Sequence, residues 1–155
     1  MGDVDERYEL IDGPPPLADY LRLRAGSGLT PKRPDQAAPA LTNSWAWCHV
    51  AESATGAVVG MGRVIGDGGW YFHLADMATD PQYQRQGIGR AVIDRLLGLI
   101  QQHAPEDPYV TLMADGPGVR LYESVGFVPS APGTIGMVLR SRPARESAES
   151  GRLPQ

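Results

Sequence analysis

From Trp70 to His103 the chain runs from a strand-like segment through two glycines into a long amphipathic stretch, and that junction most constrains the fold. Trp70 to Thr79 reads as a strand, which Pro81 stops. The polar loop Gln84-Arg85-Gln86-Gly87-Ile88-Gly89 follows. Beyond it Ile88, Val92, Leu96 and Leu99 recur at helical spacing, and Ile93, Leu97 and Ile100 widen the same face. Pro105 bars continuation, so the spacing predicts a helix over residues 87–103. Glycines let the backbone approach a ligand with no Cβ in the way. The first-turn N–H groups lack partners within the helix and can be donated to an anion. Such a junction has the physical form of a diphosphate cradle. A Walker loop would need Gly-Lys-Ser/Thr, which is absent, and a dinucleotide fingerprint would need a glycine where Val92 stands.

The spacing Gln84-x-x-Gly87-x-Gly89 resembles the acyl-coenzyme A signature of the GCN5-related N-acetyltransferases (GNAT). Downstream, Asp115-Gly-Pro-Gly-Val-Arg-Leu-Tyr122-Glu-Ser-Val-Gly126-Phe127 is similar to the family's Asn-x-x-Ala-x-x-x-Tyr-Glu-x-x-Gly-Phe segment. Asp115 replaces the usual Asn, and Gly118 the usual Ala. The resemblance covers roughly residues 45 to 140 and constrains the first forty only loosely. It implies a single α/β domain over 7–140, with a mixed, mostly antiparallel sheet splayed at a central parallel strand pair and helices on both faces. Residues 1–6 are expected to be a flexible terminus, and the Arg/Glu/Ser-rich 141–155 a disordered tail.

Other elements follow from local pattern. Tyr8–Ile11 suggests a first strand, and Leu17, Tyr20, Leu21 and Leu23 or Arg24 a short helix that Gly26 and Gly28 stop. Residues 29–44 read as loop with one helical turn near Asp35–Leu41. Trp45–Glu52 and Ala57–Ile65 are strand-like, and Gly66-Asp-Gly-Gly69 signals a hairpin into Trp70–Thr79. Tyr109–Met113 reads as a buried strand parallel to Trp70–Thr79. Pro117–Val125 suggests a helix, and Phe127-Val128 and Thr134–Arg140 final strands.

A chain of 155 residues is ordinarily one domain. Its 42% hydrophobic and 21% charged content is that of a soluble globular protein. No run approaches the roughly 20 apolar residues of a membrane span, and the acidic N-terminus does not read as a signal peptide. One cysteine, Cys48, excludes an internal disulfide framework and points to a cytoplasmic setting. A net charge of −4 argues against nucleic acid as partner. Arg85, Arg90 and Arg95 nevertheless gather around the glycine loop, where Arg85 or Arg90 can meet a phosphate.

By resemblance, acetyl-CoA is the donor and pairs as a pseudo-strand in the splay. Backbone of Met77, Ala78 and Thr79 would take the pantetheine, with the Met77 N–H aimed at the thioester oxygen. Gln84, Arg85, Gln86, Gly87, Ile88, Gly89 and Arg90 would hold the diphosphate. Gly118, Tyr122 and Asp115 would border the arm, although a carboxylate at 115 can accept but not donate. Asp115 serves equally as an N-cap. Tyr122, with an ordinary pKa of about 10, is protonated at neutral pH and can supply a proton to the departing thiolate. His73 is the candidate base, because an alkylamine is neutral only about one part in a thousand at pH 7. Asp76 is the rival base. Cys48 has no adjacent base and is not read as a nucleophile. His49 and His103 lack partners at metal-ligand spacing, so no metal is expected.

Trp45 and Trp47 share one strand parity, Trp70 and Phe72 another, and three tryptophans near the acceptor end suggest an apolar or aromatic amine pocket. The expected activity is therefore direct acetyl transfer from acetyl-CoA to a small, arylalkylamine-like primary amine, by a monomer or homodimer with no membrane partner. Acetylation of protein amino groups and a non-catalytic acyl-CoA-binding module are the alternatives.

Overall fold

The computed structural model describes residues 4–140. Five strands form one sheet in sequence order: β1 (Tyr8–Asp12), β2 (Ala46–Glu52), β3 (Val58–Gly66), β4 (Tyr71–Thr79) and β5 (Tyr109–Leu112). The first four pair antiparallel, and β4 pairs β5 in parallel. Parallel neighbours need a crossover. It is supplied by α3 (Ile88–His103), whose apolar repeat is the one visible in the sequence.

Alternation along the strands divides the core in two. Cys48, Val50, Val59, Val64, Phe72 and Leu74 face α3, where they meet Ile88, Val92, Ile93, Leu96 and Ile100. Trp47, Val58, Met61 and Ala78 face the opposite side and pack on Tyr20, Leu23 and Ala37 of α1 (Leu17–Gly26) and α2 (Pro34–Asn43). Helices thus cover both faces, as the resemblance implied. Two glycines of β3 set how closely α3 lies. A Cβ on Gly60 would collide with Ile88, and one on Gly62 would stand 2.5 Å from Met77 Sδ and 2.7 Å from Val92 Cγ1. The hairpin between β3 and β4 is closed by Asp67, whose carboxylate accepts from the amides of Gly69, Trp70 and Tyr71 at 2.8, 3.0 and 3.2 Å.

Three expectations are corrected. The single turn near Asp35–Leu41 is a complete helix, α2, despite Pro39 within it. Tertiary packing overrides propensity here, because Ala37 is fully buried and the Ala40 carbonyl accepts from Trp47 Nε1 at 3.2 Å. The strand β5 is half-buried rather than buried, with Tyr109 exposed. The final strands at Phe127-Val128 and Thr134–Arg140 do not form. Past α4 (Val119–Ser124) and Phe127, the chain makes a turn in which Thr134 N–H donates to Ser130 O at 3.0 Å, then continues exposed to Arg140. β-propensity yields a strand only where a ladder partner is present. The expected tail at 141–155 lies outside the described residues.

Candidate active site

Parallel pairing between β4 and β5 begins at Tyr71↔Tyr109 and stops at Leu74↔Leu112, while β4 continues to Thr79. One edge of β4 is therefore open from Ala75 onward. In the same stretch β4 carries one extra residue: Met61 lies opposite Ala78 and Arg63 opposite Ala75, so Asp76 and Met77 face Gly62 together. Such a bulge re-aims the strand beyond it. Asp76 sits at φ +55, left-handed backbone that an aspartate rarely takes.

Three side chains hold the bulge. Arg24 Nη1 binds one carboxylate oxygen of Asp76, and Arg63 Nε binds the other at 2.7 Å. The Tyr20 hydroxyl donates to that second oxygen at 2.8 Å. The Asp76 side chain is only 6% exposed. Arg24 also reaches the Thr30 carbonyl, and the Arg63 guanidinium lies over the Trp47 ring at 5.7 Å. Burial and the hydrogen bond to Asp76 push the Tyr20 phenol above its ordinary pKa. Both oxygens of Asp76 are thus committed to cations within the fold.

Downstream of β4, a 3₁₀ turn at Pro81–Tyr83 leads into the glycine loop, with Asp80 accepting from the Gln82 amide at 3.0 Å. Gly87 caps α3 at φ +81 with no side-chain cap. The amides of Ile88, Gly89 and Arg90 have no acceptor among the described residues; the first bonded one is Ala91, to Gly87 O at 3.0 Å. These N–H groups open onto a cleft of about 460 Å³. Met77, Ala78, Thr79, Gln84, Arg85, Gly87, Ile88, Gly89, Arg90, Gly118 and Tyr122 all line it. A cradle of free amides, an open strand edge and a groove fit a coenzyme with a diphosphate and an amide-bearing arm.

Four residues singled out in the sequence do not line the cleft: His73, Asp76, Gln86 and Asp115. Gln86 accepts from the Tyr8 hydroxyl, tying the loop to β1. Asp115 takes the N-cap position of the Gly116–Gly118 turn but makes no side-chain cap bond. Burial, and secondarily the charge of Asp115, push the Tyr122 phenol above its ordinary pKa, which keeps it protonated. His73 Nδ1 lies 2.9 Å from Thr111 Oγ1, itself 3.4 Å from the Phe72 carbonyl. If that hydroxyl gives its proton to the carbonyl, it accepts from Nδ1–H and leaves Nε2 as the basic nitrogen. Burial and then Arg63 lower the His73 pKa, favouring neutral imidazole.

Arginines separate by partner. Arg95 pairs with Asp12 at 2.6 Å and Arg90 with Asp94 at 2.9 Å, whereas Arg85 has no ion-pair partner among the described residues. Cys48 is buried with its thiol pushed up to about 12, which suits a packed side chain and not a nucleophile. No metal-binding cluster occurs among the described residues. The tryptophans do not assemble an acceptor pocket. Trp47 packs edge-on against Tyr20, Trp45 against Phe72 on the other side of the sheet, and Trp70 stands at the surface. Trp45 precedes β2, so strand parity does not govern it.

Sequence reasoning missed Ser27, Met61, Tyr83, Pro117 and Leu121, which also line the cleft. Ser27 Oγ is buried with no hydrogen-bond partner. Nothing local marks it. Arg24 did carry a signal, a charge on the apolar face of a helix, which burial obliges to find a carboxylate.

Residues 32–137 match the Acetyltransferase (GNAT) domain family, and the chain belongs to that family, whose acetyl donor is acetyl-CoA. A histone acetyltransferase of Glycine max, TAP1, is 32% identical over 117 residues, covering 69% of this chain and 50% of its own. The [ribosomal protein bS18]-alanine N-acetyltransferase of Escherichia coli is 36% identical over 55 residues, 35% of this chain and 37% of its own. The chain spans about half the length of the first curated relatives it matches. Among solved structures, SA2161 of meticillin-resistant Staphylococcus aureus is similar at TM-score 0.81 and 33% identity, over 86% of this chain and 99% of its own.

Proposed function

We propose that this chain transfers an acetyl group directly from acetyl-CoA to a primary amine. The observation that carries this reading is the convergence of the open β4 edge, the unpartnered amides of α3 and Tyr122 on one cleft. In it, the amides of Ile88 to Arg90, with Gln84 and Arg85, hold the diphosphate. Backbone of Met77 to Thr79 pairs with the pantetheine, and the Met77 N–H stabilises charge developing on the thioester oxygen. As the amine nitrogen bonds to the acetyl carbon, the carbon–sulfur bond breaks. The amine proton goes to His73, and the Tyr122 proton goes to the departing thiolate. His73 and Met77 lie four positions apart, at most roughly 13 Å along the strand, so that proton travels through water. Asp76, with both oxygens on guanidinium groups, acts by holding the bulge rather than as a base.

The acceptor class we favour is an amino group on a polypeptide. Trp47 is packed against Tyr20, Trp45 against Phe72 and Trp70 stands at the surface, so the three form no pocket for a small arylalkylamine, and two of the relatives are named for acting on proteins. A reducing cytoplasm is the compartment we propose on the single buried thiol; no helix among the described residues is long and apolar enough to cross a membrane. Thiol release from acetyl-CoA, followed with lysine-bearing peptides, peptides with free N-termini and arylalkylamines, tests all of this. Release with a peptide class is expected. Release only with arylalkylamines would overturn the acceptor reading, and coenzyme binding without release to any amine would make the protein a binding module.

A further inference from the structure

Two surfaces lack partners among the described residues, and they have complementary chemistry. The first is the segment 134–140, Thr-Ile-Gly-Met-Val-Leu-Arg, which is rich in strand-forming residues and free of proline. Its Ile135, Met137, Val138 and Leu139 are 69%, 86%, 80% and 96% exposed. None of its amides beyond Thr134 has a backbone acceptor among the described residues. Side chains of Ile135, Met137 and Leu139 would share one face of a strand. The second surface is the outer edge of β5, the last strand of the sheet, with no neighbour beyond it among the described residues. Beside that edge the exposed rings of Trp70, Tyr71 and Tyr109 touch one another, the centroids 5.3 to 6.4 Å apart.

We infer that the protein is a symmetric dimer in which the 134–140 arm of each copy adds as a strand to the β5 edge of the other. An apolar strand left in water and an open sheet edge are each a liability, and each removes the other's. The arm touches its own body at Gly136, where a Cβ would stand 2.5 Å from Met113 Cε, immediately after β5, yet no backbone ladder follows among the described residues. As a strand, seven residues reach roughly 23 Å, enough to run the whole length of the four-residue β5. Exchange about a two-fold axis satisfies both arms and both edges at once, with the same patch used on each side. The aliphatic face of the arm then covers the aromatic trio, whereas a single copy would leave both surfaces wet. The pairing is independent of the coenzyme cleft, since none of these seven residues lines it.

Light scattering on the full chain, with hydrogen exchange on the same samples, tests this. The expected mass at micromolar concentration is twice the 16.7 kDa of one chain, with the amides of residues 135–140 protected. Met137→Asp and, separately, Val138→Pro should each give one-chain mass and lose that protection, while the cooperative thermal transition of the body persists. Wild-type protein of one-chain mass overturns the inference, whether the arm is free or folded back on its own β5. So does a dimer whose 135–140 amides exchange freely, or one that survives both variants. Should either variant fail to fold, the wild-type mass and protection decide the matter by themselves.

Discussion

At the scale of single residues, the phenol of Tyr122 and the imidazole of His73 are tuned in opposite directions that suit opposite tasks. A raised pKa keeps Tyr122 a proton donor, and a lowered one keeps His73 an acceptor. Removing the phenolic oxygen in Tyr122→Phe should lower kcat roughly 100-fold. Acetyl-CoA affinity should be nearly unchanged, because that ring still packs against Gly118 and Phe127. Wild-type turnover in that variant would remove the tyrosine from the mechanism. For His73 the sign is fixed by its neutral form. It is fully basic above its pKa and is lost as pH falls through it, so kcat/KM should show an acid limb below the ordinary value of about 6.5. His73→Ala should abolish that limb; a limb that persists belongs to another group.

At the scale of elements, the deciding structure is the bulge in β4 and the ion pairs that lock it. Asp76→Ala would leave the buried Arg24 and the half-buried Arg63 without a counter-charge, a loss of about 3 kcal/mol by denaturant unfolding. It should also weaken coenzyme binding, because the strand beyond the bulge carries Met77 to Thr79. A variant as stable as the wild type would show that the network holds nothing. These long-range partnerships explain what was legible in the sequence. The helix after the glycine loop is legible in its own apolar spacing, and the glycine loop and the Tyr122 segment in short contiguous motifs that resemble the family's. By contrast, Asp76 meets partners 52 and 13 residues away, and only folding brings them together. Such separation is why a carboxylate that read as a rival base is found clasped by arginines. The strands expected after Phe127 failed for a related reason: their residues favour extended backbone, but a strand needs an edge to pair with, and no local pattern says whose edge that is.

At the scale of the whole molecule, the two helical layers leave an opening where β4 and β5 part and α3 begins. The net charge of −4 would repel a coenzyme in general, so in the proposed site the attraction is local, from oriented amides and from Arg85, which has no ion-pair partner among the described residues. That division sets the most direct test. Coenzyme A should be titrated into ¹⁵N-labelled protein, beside a Gly87→Val variant in which the φ of +81 becomes strained by about 1–2 kcal/mol. The amides of Ile88, Gly89 and Arg90 are expected to shift most, and the variant to bind about tenfold more weakly or worse. Unmoved amides at those three residues, or equal affinity in the variant, would contradict it.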